Sequence, residues 1–191
     1  MKSTARYRVK TVACVAFAIT SLVLTTAIAV GATSGAVQIP GLRELGLGAE
    51  ARADVAARDQ QAPDVAFILN RSAIESAPMN ASAWLRVAYL RSQSSEALDD
   101  LAIDGIRRSY SVAPFGPDVT TWRLQFLYGH WSQIPLDLRQ EAMAEHRVYG
   151  RLVAIDDASL ADPAGKLTAV MMNARVRARR TALSKNEKNS L

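Results

Sequence analysis

Cysteine and histidine are nearly missing: 191 residues hold one cysteine, Cys14, and two histidines, His130 and His146. Cys14 sits inside an apolar run, so no intrachain disulfide can form and the fold must rest on apolar burial. A triad or a histidine-rich metal site would have to use His130 or His146. His130 lies in Tyr128-Gly-His130-Trp131, near a predicted helix end, where a histidine packs on tryptophan or on the helix terminus. His146 follows Glu141 and Glu145 but lacks the Glu-x-x-His spacing and the further carboxylates of a dinuclear centre. Gly41, Gly46 and Gly48 lack the Lys and Ser or Thr that complete a phosphate loop. The pairs Asp99-Asp100 and Asp156-Asp157 fall near helix ends, where capping and solvation account for them. No stretch alternates apolar and polar residues at strand spacing. These absences predict an all-α, non-catalytic protein with no cofactor and no metal.

Charge is missing from one long stretch. Thr11 to Ala32 contain no charged side chain and directly follow Lys2, Arg6, Arg8 and Lys10. At about 1.5 Å per helical residue such a run spans a hydrocarbon layer of about 30 Å, with its basic flank held in the cytoplasm. The expected layout is a cytoplasmic basic segment over 1–10, a transmembrane anchor over 11–32, a linker over 33–49, a helical domain over 50–183 and a disordered tail over 184–191. That makes a single-pass inner-membrane protein with its C-terminal domain in the periplasm. Ala27-Ile-Ala29 and Ser34-Gly-Ala36 would suit a peptidase, so a cleaved signal and a secreted helical domain form one alternative. Another is an accessory subunit packed against an integral membrane enzyme through Thr20, Ser21, Thr25 and Thr26.

The formal charge of +5 divides unevenly. Residues 1–40 hold four basic and no acidic side chains, and residues 174–191 hold six basic and one acidic. The body between them has 13 Arg or Lys against 17 Asp or Glu, so it is mildly acidic. A nucleic-acid partner would instead call for positive charge on a folded face.

Helical spacing starts near Glu50. One predicted helix ends near Gln61, a second runs from Asp64 toward Pro78, and Asn80 caps a third. Ser95 is the expected cap of a fourth, with Leu98, Leu101, Ala102, Gly105, Ile106, Ser109 and Val112 inward and Pro114 as its stop. Pro117-Asp118 opens a fifth toward Trp131, and Pro135 a sixth with Leu138, Ala142, His146, Tyr149 and Val153 on one side. Asp162-Pro163 opens the last, carrying Leu167, Val170, Met171, Ala174 and Ala178. Short connections make successive helices antiparallel neighbours.

Ala77-Pro78-Met-Asn80-Ala-Ser-Ala-Trp84 is echoed by Ala113-Pro114-Phe-Gly-Pro117-Asp118-Val-Thr-Thr-Trp122. A repeat of this size, made of two helices, marks stacked hairpins. Trp84, Ala88 and Pro114 resemble the early Trp, the small residue and the terminal Pro of the tetratricopeptide family. The second unit has Trp122, with Phe126 where that family has a small residue. The resemblance covers roughly Asp64 to Asp156 and implies a short stack of antiparallel helical hairpins. The anchored layout, with Asn80-Ala-Ser-Ala-Trp84-Leu-Arg-Val-Ala88 and Ala113-Pro114-Phe-Gly-Pro117, also resembles small bacterial envelope proteins encoded with polysaccharide-assembly and O-antigen ligase machinery. It implies an adaptor for a protein partner in the envelope.

Two groups of side chains are candidates for that binding. First helices of stacked hairpins line a concave surface, which nominates Arg86, Tyr89, Arg91, Arg123 and Tyr128 for a protein partner, with the arginines expected to be exposed. Trp84 and Trp122 are expected to pack in the core. The basic run Arg175, Arg177, Arg179 and Arg180 is the second candidate, for anionic lipid headgroups or an acidic partner.

Overall fold

The computed structural model describes residues 15–27, 29–30, 48–59, 62–150, 152 and 155–189. Every regular element among them is helical, as expected of an all-α chain. The helices belong to two compact units, Met1–Ser76 and Ala77–Leu191.

In the first unit, α1 covers residues 15–27 and exposes nearly all of its apolar side chains, Phe17 at 76% and Leu22 at 68%. Its threonine hydroxyls turn back on the helix: Thr20, Thr25 and Thr26 donate to the carbonyls of Ala16, Ser21 and Leu22 at 2.8–2.9 Å. Among the described residues no helix is long and apolar enough to cross a membrane. Positions 11–14, 28 and 31–32 of the expected anchor, the basic segment 1–10 and most of the linker lie outside the described residues. Gly48 enters α2 (Ala49–Arg58) at φ 73°, a left-handed conformation suited to glycine. α2 packs on α3 (Pro63–Ser76), and small residues do the burying: Ala53, Ala56 and Ala57 in α2, Ala66 and Ala73 in α3.

The second unit begins at a cap the sequence marks. Asn80 Oδ1 accepts from the backbone N–H of Ser82 and Ala83 at 3.0 and 3.3 Å, opening α4 (Ala81–Ser94). α5 (Asp100–Val112) is capped by Asp99, whose carboxylate accepts from Ala102 N–H at 2.9 Å. Ser95, the expected cap, only closes a local turn onto Ala97 N–H. The later start also leaves Leu101 exposed, and Tyr110 takes an inward place instead. α4 and α5 touch along their length because Gly105 has no side chain: a Cβ there would lie 2.9 Å from Trp84 O and 3.1 Å from Val87 Cβ.

Pro117 starts α6 (Pro117–Gly129), a 3-10 turn follows at Trp131–Gln133, and α7 spans Leu136–Tyr149. Contacts run from α4 to α6 and from α5 to α7, so first helix meets first and second meets second, a repeat-like stacking of two pairs. Gln133 ties the pairs together by accepting from Leu98 N–H at 2.7 Å. α8 (Pro163–Asn189) closes the stack against α6, α7 and the 3-10 turn. Asp162 caps it, accepting from Ala164 and Gly165 N–H at 2.9 and 3.0 Å and from Ser132 N–H at 2.6 Å. Burial raises the Asp162 carboxyl, yet those hydrogen bonds outweigh it and hold it below its ordinary 3.8. A Cβ on Gly165 would fall 1.8 Å from Tyr128 O, so α8 lies directly on the α6 backbone.

The face that α8 turns inward departs from expectation. Gly165, Ala169, Met172 and Val176 are buried, whereas Leu167, Val170 and Met171 are 63%, 40% and 47% exposed. The close approach at Gly165 sets this rotation, since only a glycine face can meet Tyr128 O. α8 also remains helical to Asn189, through positions where a tail from Ser184 was expected; residues 190–191 lie outside the described residues.

Candidate functional site

The expected concave arginine surface does not form. Arg86, Arg123 and Tyr128 are 2%, 0% and 0% exposed, which corrects the expectation of exposed arginines. For Arg123 the reason is a complete set of partners. Its guanidinium donates to Glu145 Oε1 at 2.5 Å and Oε2 at 3.1 Å, and to the carbonyls of Ser109 and Ala113 at 3.0 Å each. The two carbonyls belong to the C-terminal end of α5, where a cation is favoured. Glu145 also accepts from Tyr110 at 2.8 Å and Thr120 at 2.7 Å, so the buried pair has no unmet valence. Arg123 stands 3.9 Å over the Tyr110 ring. Burial, then Glu145, raises the Tyr110 phenol well above its ordinary range.

Tyr128 belongs to an adjoining buried relay. Its hydroxyl lies 2.8 Å from His146 Nδ1, and His146 Nε2 lies 3.2 Å from Asn173 Oδ1. With an amide oxygen facing Nε2, that nitrogen carries the proton and Nδ1 accepts from Tyr128. Burial lowers the His146 pKa from its ordinary 6.5, against smaller opposing effects of Asn173 and Glu145. Three elements, α6, α7 and α8, are thereby fixed to one another by two polar contacts.

The remaining candidates sit on α4. Tyr89 is half-buried, edge-on to Trp122 with ring centroids 6.2 Å apart. Arg91 donates through Nε to Asp99 at 2.7 Å, tying α4 to the α5 cap. Trp84 and Trp122 are half-buried: the Trp84 indole donates to Pro78 O at 2.8 Å with Arg108 stacked at 4.9 Å, and Arg86 lies 6.0 Å over Trp122.

The basic run behaves differently. Arg175, Arg177, Arg179 and Arg180 are all exposed on α8, and none makes an ion pair among the described residues. Arg175 and Arg179, one helical turn apart, border a groove between α7 and α8 of about 580 Å³. Arg147 borders it from α7, and Met143, Met172 and Val176 form its apolar wall. Sequence reading missed Met143 and Arg147 as site residues. Their spacing of four puts both on one face of α7, but only the docking of α8 makes that face a groove. Among the described residues no three His, Cys, Asp or Glu side chains gather as metal ligands would. The chain matches no protein-family model, no curated protein and no solved structure.

Proposed function

We propose that this chain is a membrane-held adaptor whose tetratricopeptide-like helical unit binds a protein partner in the cell envelope, in polysaccharide assembly. The observation that carries the reading is the two-sided character of α8. Its inner face completes the core, while Leu167, Val170 and Met171 form an exposed stripe beside unpaired arginines. An apolar stripe of that kind, rimmed by charge, is the usual mark of a docking surface.

α1 supports the membrane part. Phe17, Ile19, Leu22, Val23 and Leu24 are each more than half exposed, a costly arrangement in water at about 25 cal/mol per Å² of apolar surface. Lipid removes that cost. The threonine hydroxyls of this helix all donate to its own backbone carbonyls, which suits a lipid setting. The same hydrogen bonds occupy the Thr20, Thr25 and Thr26 donors, three of the four groups an intramembrane subunit contact would use, which favours a plain anchor.

The test replaces residues 1–35 with an unrelated single-span anchor and follows the partner that co-purifies with the full chain in mild detergent. Retention of that partner is expected. Its loss on anchor exchange sinks the adaptor reading and transfers function to the segment in the bilayer.

A further inference from the structure

We propose, resting on the adaptor reading, that the groove between α7 and α8 takes an acidic amphipathic helix of the partner protein. Three guanidiniums converge on it, from Arg147, Arg175 and Arg179, and among the described residues no carboxylate neutralises them. A second groove, of about 350 Å³ between α5 and α7, shows the contrast: its Arg107 already pairs with Asp137 at 3.1 Å. The α7–α8 groove combines a methionine lining with positive charge that no carboxylate pairs among the described residues. Methionine walls adapt to varied apolar side chains, the property a helix-docking groove uses.

The spacing selects the occupant. Arg175 and Arg179 match carboxylates placed at i and i+4 on a docking helix, with Arg147 meeting a third across the groove. An apolar residue between those carboxylates would reach Met143. A second copy presenting its own α8 fits poorly, because no acidic residue lies between Pro163 and Lys185 and like charges would face each other. A bilayer surface also fits less well, because Arg147 from α7 and Arg175 and Arg179 from α8 line a groove between two helices, which a docking helix fills more closely than a plane of headgroups does.

The probe is a fluorescein-labelled helical peptide with Glu at i and i+4 around a Leu and Met stripe, paired with a control in which every Glu is Lys. Anisotropy with the full chain in uncharged detergent micelles is expected to show binding of the acidic peptide alone. R147E/R175E/R179E should weaken it by at least about tenfold, whereas R177E/R180E, outside the groove, should change it by less than about threefold. All five arginines are exposed, so the tryptophan unfolding midpoint should stay put in both variants. Equal binding of the two peptides, no binding of the acidic one, or equal loss in the two variants overturns the groove. Displacement of the peptide by phosphatidylglycerol vesicles, but not by phosphatidylcholine vesicles, assigns the arginines to lipid and overturns the protein occupant. A partner retained by R147E/R175E/R179E defeats the groove and leaves the adaptor standing; a partner lost on anchor exchange defeats the adaptor whatever the peptide does.

Discussion

Arg123 and Glu145 carry the most consequential interaction of the second unit, and nothing in their local sequence announces it. Each reads as a solvated helix-face charge, because lysine, glutamate, arginine and aspartate are almost never buried without a partner. Their partners lie 9 to 35 positions away, on α5 and the turn that follows it, α6 and α7. Removing one partner strands the other in the core, so Arg123→Met should cost about 3–5 kcal/mol in urea unfolding. Pairing it with Glu145→Leu should recover part of that loss, and a double-mutant cycle showing no coupling would refute the ion pair as the tie. Trp84, Trp122 and Trp131 all lie in this unit, so tryptophan fluorescence reads it selectively. His146 makes a second prediction at this scale. Its folded pKa is lowered, so the unfolded chain binds more protons between that lowered value and 6.5. Stability is then complete above pH 6.5 and falls as pH drops through the folded value. The lowered carboxylates Asp99, Asp137 and Asp162 act only below 3.8, in a separate window. Urea midpoints should hold from pH 8 to 7 and decline toward pH 5 in the wild type, and His146→Gln should flatten that decline; an unchanged slope in the variant sinks the assignment.

Element boundaries were legible wherever a side chain acts on its own backbone. Asn80, Pro117, Pro135 and Asp162 each open a helix where the sequence places one, since caps and prolines work within a few residues. The exception is instructive. Ser95 and Asp99 both offer a capping oxygen, and Asp99 wins because it also meets Arg91 from α4, a contact no local pattern reveals. Arg91, then the N–H of Ala102, holds the Asp99 carboxyl below its ordinary range. Asp99→Ala should therefore cost about 1–2 kcal/mol, from the cap, while Ser95→Ala should stay within about 0.5 kcal/mol. Equal effects of the two in parallel urea titrations would restore Ser95 as the cap. The rotation of α8 failed for a related reason. Hydrophobic periodicity favoured the Leu167, Val170 and Met171 stripe as the inner face, but close packing selected the side with Gly165 and Ala169. The same competition between size and fit left the more apolar face outside.

At the scale of the whole molecule the charge division gains a physical sense. The basic start flanks an uncharged run, the acidic body folds as helices, and the basic end presents arginines that the body leaves unpaired. The candidate groove was half legible: Arg175 and Arg179 stood out as part of a basic run, and Arg147 with Met143 did not, because a groove is a relation between two helices. The proposed anchor makes the final prediction, since the adaptor reading needs the chain to stay at a membrane. Near the middle of the uncharged run, Ile19→Arg and Val23→Arg each place a guanidinium at about the depth where insertion costs about 2.5–3.5 kcal/mol. The wild type should remain with membranes after alkaline extraction, each single variant should shift partly to the soluble fraction, and I19R/V23R should be released almost entirely. Conservative Ile19→Val and Val23→Ile leave hydrophobicity intact and should not move the protein. If I19R/V23R stays membrane-bound like the wild type, retention does not depend on the uncharged run, and the proposed anchor is overturned.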